Sequence, residues 1–134
     1  MSEALAGKRI LIVEDEYFIA SDLKRTLHRE GAIVVGPVGN LAAGMSLAEQ
    51  QIDAAVLDVN LEEALSYPIA DRLRSRNIPY MFLTGYDEWS LPAKYRGVAR
   101  VAKPFPPQSV VTMVSKIITG DAQGIAAAQM SEAG

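Results

Sequence analysis

Two short apolar runs in this sequence end on carboxylates. Arg9-Ile10-Leu11-Ile12-Val13 is followed at once by Glu14-Asp15-Glu16, and Ala54-Ala55-Val56-Leu57 by Asp58. Neither run alternates with polar residues, as a strand with one wet face does. An unbroken run of this length reads as a strand buried on both faces, the kind found in the middle of a parallel sheet. The acids then stand at the carboxyl ends of two strands, the edge at which open α/β sheets bind ligands.

The rest of the chain supplies partners for those strands. After Glu14–Glu16 the pattern turns helical: Ile19, Leu23 and Leu27 share one face, Asp22, Lys24, Arg25 and Arg29 the other, and Gly31 is placed to end the helix. Ile33-Val34-Val35-Gly36-Pro37-Val38 is a β-branched strand whose proline puts it at an edge. Asn40 caps a short helix running to Gln50. Beyond Asp58 come a polar loop from Glu62 to Ser66 and a helix with Pro68 in its first turn, Ile69 and Leu73 inward, ending near Arg76. Ile78 to Tyr86 is a fourth strand that delivers Thr84 and Gly85 to its carboxyl end. Asp87 to Gly97, with Ser90 and Pro92, is irregular, a turn or two at most. Arg100-Val101-Ala102 is a short last strand closed by Lys103-Pro104-Phe105. Pro106 and Pro107 start a final helix faced by Val110, Val111, Val114 and Ile117. Strands alternate with helices throughout, which predicts an α/β fold with a parallel sheet and right-handed crossovers. One domain over 8–118 is expected, with flexible termini at 1–7 and 119–134.

Composition narrows the function. The 134 residues carry a formal net charge of −3, so there is no basic footprint for nucleic acid. There is no cysteine, which removes disulfides and thiolate metal sites, and a single histidine, His28, which removes any two-histidine metal site. No apolar run approaches the roughly 20 residues that span a bilayer, and the first residues lack the apolar core of a signal peptide. The expectation is a cytoplasmic protein with no membrane or nucleic-acid partner.

Four elements converge on one edge: Glu14 with Asp15, Asp58, Thr84, and Lys103. Carboxylates this close repel one another and call for a cation. Two or three oxygen ligands plus water suit Mg²⁺ or Mn²⁺. Lys103 offers a fixed positive charge for a phosphate, and the Thr84 hydroxyl a donor to its oxygens. Backbone N–H groups after Asp58 and Thr84 can complete a cradle, with Gly85 allowing close approach. A nucleophile, a metal and donors to the equatorial oxygens are the parts of a phosphoryl transfer, and a carboxylate is a known covalent acceptor of phosphate.

Val13-Glu14-Asp15, Leu57-Asp58-Val59-Asn60, Thr84-Gly85 and Lys103-Pro104-Phe105, in that order and each at a strand end, resemble the receiver domain of two-component response regulators. The resemblance implies a flavodoxin-like (βα)5 sandwich with strand order 2-1-3-4-5. It implies that Asp58 takes a phosphoryl group from a phosphohistidine on a sensor histidine kinase or histidine phosphotransfer protein. It further implies that Asp15, Asp58 and the Asn60 carbonyl ligate Mg²⁺, with Glu14 acting through water. Asn60, Thr84, Gly85 and Lys103 would hold the phosphate, and the Lys103–Pro104 bond would be cis. Family members usually carry an aromatic residue three positions before that lysine, where this chain has Arg100. Instead, Phe82-Leu83-Thr84-Gly85-Tyr86 is similar to the Phe-Ala-Thr-Gly-aromatic stretch of an alphaproteobacterial subgroup of single-domain receivers, with leucine in place of alanine. In that subgroup the fourth helix is short or replaced by a loop, which places the switch at Thr84, Tyr86 and Arg100, with Trp89 beside it. Arg100 itself has two readings: a solvated side chain, or the partner of an acid in the loop.

Two rivals remain. A phosphatase of the haloacid-dehalogenase type also pairs Asp, Thr, Lys and Mg²⁺, but needs a second Asp two residues after the nucleophile, where this chain has Asn60. A pseudo-receiver would bind partners without accepting phosphate. With only a short stretch after the last helix, the expectation is a stand-alone signalling module, not an enzyme, whose output is protein binding or phosphate storage.

Overall fold

The computed structural model describes residues 3–85 and 91–120. Five parallel strands form one sheet: β1 (Arg9–Val13), β2 (Ile33–Val38), β3 (Ala54–Asp58), β6 (Tyr80–Thr84) and β7 (Arg100–Ala102), in spatial order β2-β1-β3-β6-β7. Counting only these five, the order is 2-1-3-4-5, the flavodoxin-like arrangement. The helices are α1 (Tyr17–Arg29), α2 (Leu41–Leu47), α3 (Tyr67–Ser75) and α4 (Pro107–Thr119).

The apolar runs behave as strands covered on both sides. Ile10, Ile12, Ala54, Val56, Met81 and Leu83 face a core shared with Leu23 and Leu27 of α1 and Val110, Val114 and Ile117 of α4. Their neighbours Leu11, Val13, Ala55, Leu57 and Phe82 face the other core, with Ile69 and Leu73 of α3. Each strand thus alternates between two cores rather than between core and water.

The edge position of β2 accounts for its Gly-Pro step. The pairing of β1 with β2 slips between Leu11–Val35 and Val13–Val38, so β2 carries an extra residue there. Gly36 takes φ 95° at this bulge, and a Cβ on it would lie 3.0 Å from the Ile12 carbonyl oxygen. Both Gly36–Pro37 and Lys103–Pro104 are cis peptides, the second as the resemblance implies. Helix α1 ends as the sequence predicts. Gly31, at φ 91°, and Ala32 donate their N–H groups to the His28 and Leu27 carbonyls, a Schellman ending. His28 is exposed, as expected for that face.

Four local features differ from the sequence reading. Residues 3–7 form a turn rather than a loose tail: Leu5 is fully buried, and the Gly7 N–H donates to the Gly31 carbonyl. Helix α2 stops at Leu47 instead of Gln50, because Glu49 and Gln50 donate to carbonyls three residues back and tighten the last turn. The polar loop after Asp58 contains a small antiparallel hairpin, β4 (Asn60–Leu61) with β5 (Ala64–Leu65), pinned by buried Leu61 and by the Ser66 N–H donating to the Val59 carbonyl. Helix α4 continues through Thr119 and meets Gly120 in the left-handed conformation.

The crossover from β6 to β7 holds, among the described residues, one 3₁₀ turn, Ala93–Tyr95. Tyr95 anchors it. Its ring is buried, stacks on Tyr67 at 4.5 Å and meets Phe82 edge-on, and its hydroxyl donates to Asp71 at 2.6 Å. Tyr86 and Trp89, and the tail from 121 to 134, lie outside the described residues. No helix among the described residues is long and apolar enough to cross a membrane.

Candidate functional site

Parallel register brings the acids together. Val13 pairs with Leu57, so Glu14 and Asp58 emerge side by side one step later, at the ends of adjacent central strands. Asp58 in turn pairs with Leu83 of β6, which sets Thr84 beside it, and Thr84 pairs with Ala102, which sets Lys103 next. The Lys103 N–H donates to the Thr84 carbonyl at 2.8 Å. Glu14, Asp58 and Thr84 are all buried.

Lys103 Nζ lies 3.0 Å from Glu14 Oε1, 3.0 Å from Glu16 Oε1 and 3.1 Å from Asp58 Oδ2. Burial, followed by the neighbouring Glu14 charge, pushes the Asp58 carboxyl up to about 8 despite the pull of Lys103. Burial likewise raises Glu14, again opposed by Lys103. For Lys103, burial works against the ammonium, but hydrogen bonds to Glu16 and Glu14 and the charge of Asp58 outweigh it and raise its pKa. Two buried carboxylates with one shared cation are short of positive charge.

Oxygens of Glu14, Glu16 and Asp58 lie within 4.8 Å of one another, the spacing of ligands around a cation. Glu14 Oε2 is buried with no hydrogen-bond partner. An orphaned, fully desolvated carboxylate oxygen beside two further acids fits a hard divalent cation. Glu16 is the acid for which the sequence reading names no specific ligand or partner. Its signal is a third consecutive acid at a helix start, where one suffices for the dipole. Asp15 is not among the three clustered acids. It lines the adjoining cleft, about 620 Å³, with Gly39, Asn40 and the hairpin residues Leu61, Glu62 and Glu63.

The amide cradle is narrower than the sequence suggests. The Val59 N–H is taken by the Leu83 carbonyl, while the Asn60 N–H points to Asp58 Oδ1 at 3.3 Å. Arg100 is half-buried rather than solvated, and the loop acids Asp87 and Glu88 lie outside the described residues. The Arg100 guanidinium donates to the carbonyls of Tyr95 and Arg96 and so closes the 3₁₀ turn from β7.

Comparison with known proteins agrees with this geometry. The sequence profile of the response regulator receiver domain matches residues 10–115. Transcriptional regulatory protein PdtaR of Mycobacterium tuberculosis is 29% identical over 118 residues, covering 87% of this chain and 58% of PdtaR. The chain thus spans little more than half of that relative. The solution structure of SdrG from Sphingomonas melonis Fr1 superposes with a TM-score of 0.73 at 37% identity, covering 88% of this chain and 99% of SdrG. A structure described as the BeF3-activated conformation of SdrG, from Pseudomonas melonis Fr1, gives 0.69 at 34% identity, covering 84% and 98%. With the profile matched over most of its length and the sheet in the expected order, this chain belongs to the response regulator receiver domain family.

Proposed function

We propose that Asp58 accepts a phosphoryl group from a phosphohistidine on a sensor histidine kinase or a histidine phosphotransfer protein, and that the chain signals in the cytoplasm by changed protein binding or by storing phosphate. The observation that carries this is the Lys103 ammonium held against buried Asp58 from the far strand of the sheet. A carboxylate oxygen of Asp58 forms the new O–P bond as the P–N bond of the donor breaks, and the imidazole leaves with the electron pair. Lys103, the Thr84 hydroxyl and the amides of Asn60 and Gly85 are the donors for the phosphoryl oxygens. Asp58, Glu14 and Asp15, with the Asn60 carbonyl, would hold Mg²⁺ or Mn²⁺. The cation offsets negative charge on the acids and on the incoming phosphoryl group.

Phosphorylation adds roughly 1.5 to 2 negative charges at Asp58. Thr84 and Lys103 respond together because their main chains are hydrogen-bonded. The switch is then expected at Tyr86 and in the turn tied by Arg100. A partner approaching the same edge meets Tyr17 and Phe18, exposed and packed edge to face at the start of α1. Next to them is a groove lined by Ile19, Leu23, Pro104 and Phe105. Phosphoramidate, which carries the donor's P–N bond, tests the chemistry, and a panel of phosphorylated kinases and phosphotransfer proteins then finds the partner. Rapid transfer to Asp58 from at least one member is expected. No transfer from phosphoramidate or from any member would favour a pseudo-receiver that only binds.

A further inference from the structure

An ammonium has three N–H donors, and the structure uses all three of Lys103 on carboxylates, those of Glu14, Glu16 and Asp58. A phosphoryl oxygen bound by Lys103 must therefore displace one of them. The three acids are not equally replaceable. The Glu14 side chain is fully buried and already has one oxygen without a partner. In the metal-free resting protein, losing Lys103 would orphan the other, a heavy desolvation penalty. Asp58 is the acceptor and is nearly as buried. The Glu16 side chain is 59% exposed, so water can take over its oxygen.

Glu16 also stands at the N-cap of α1, yet its side chain makes no capping hydrogen bond. Side chains at that position commonly satisfy the free N–H groups of the first turn. Here the carboxylate turns to Lys103 instead. The first-turn donors offer it an alternative place when Lys103 leaves.

We propose that Glu16 is a positioning residue that acts through Lys103, holding the ammonium in the resting protein and releasing it to the incoming phosphoryl group, so that Glu16 slows phosphorylation. The proposal rests on Asp58 being the phosphoryl acceptor. Glu16→Gln removes the charged acceptor. Glu16→Asp keeps the charge but draws the carboxylate back by one methylene. Glu3→Gln makes the same charge change at an exposed residue outside the site.

The test follows phosphoryl uptake from acetyl phosphate with Mg²⁺ by intact mass, on wild type, these three variants and Asp58→Asn. In this reaction the P–O bond to acetate breaks, acetate leaves as the anion, and the Asp58 O–P bond forms. The ¹⁵N signal of the Lys103 ammonium is recorded on the phosphate-free proteins in parallel. Expected are rates about two- to five-fold above wild type for Glu16→Gln and Glu16→Asp, the range an exposed ion pair can supply. The Lys103 signal should shift in both and stay in place in Glu3→Gln, whose rate should match wild type. Wild-type rates in both Glu16 variants, slower rates, or equal acceleration by Glu3→Gln would overturn the role of Glu16. Wild type taking up no more than Asp58→Asn would instead overturn the acceptor itself, and the role of Glu16 with it.

Discussion

Glu14 and Asp58 stand one step beyond the Val13–Leu57 pair, at the ends of adjacent parallel strands, and both are buried. Register alone creates this contact, and it forces two carboxylates to share the Lys103 charge. Several consequences can be measured.

In the metal-free protein Asp58 holds its proton up to about pH 8. A cation needs the carboxylate, so binding must expel that proton. Mg²⁺ affinity should climb between pH 6 and 8, by up to about tenfold per unit, and level off above. Calorimetry in buffers of different ionisation enthalpy should show proton release below pH 8. An affinity independent of pH would contradict the charge shortage at this pair.

The same shift links stability to pH. Between an unfolded value near 3.8 and a folded value of about 8, the folded chain binds a proton that the unfolded chain lacks. The contribution of Asp58 to metal-free stability is therefore present in acid and lost as pH rises through that window. Asp58→Asn has no such proton to lose. Without metal it should gain on wild type as pH rises from 5 to 8, by about 3–4 kcal/mol, or ~10–15 °C in Tm. Thermal unfolding in a chelator at both pH values measures it, and a difference that shrinks as pH rises would refute it.

Gly44 sets the distance between α2 and α3. A Cβ there would lie 2.4 Å from Ile69 Cδ1 and 3.3 Å from Val13 Cγ2, both on fully buried side chains. Gly44→Ala should destabilise by about 1–3 kcal/mol through overpacking, despite alanine's better helix propensity. Adding Ile69→Val removes the clashing methyl and should recover part of the loss, a coupling that a double-mutant cycle in denaturant reads directly.

Arg100→Ala removes donors from the Tyr95 and Arg96 carbonyls. We expect a loss of about 0.5–1.5 kcal/mol, felt locally. Amide exchange should quicken at Tyr95, Arg96 and Val98 and stay unchanged in β1 and β3. A uniform change across the domain would mean that Arg100 supports the fold as a whole rather than this turn.

Much of the fold was legible because its signals are local. Unbroken apolar runs mark strands covered on two faces, Gly31 marks the end of α1, and Pro37 marks an edge strand. Asp58, Thr84 and Lys103 were legible because each follows such a run directly. What sequence could not give depends on contacts between distant residues. Leu5 looks like tail until α1 and α4 provide a core for it. The hairpin after Asp58 depends on buried Leu61 and on the Val59 carbonyl. Glu16 reads as a helix-start acid until Lys103, 87 positions away, reaches it. Arg100 finds backbone carbonyls, partners that leave no trace in residue type.

The most direct measurement is the intact mass of wild type and Asp58→Asn after incubation with acetyl phosphate, with and without Mg²⁺. One phosphoryl group on wild type, only with the metal, and none on Asp58→Asn is the predicted result. Equal uptake by both proteins, or uptake by neither while a phosphorylated kinase panel also fails, would contradict Asp58 as the acceptor.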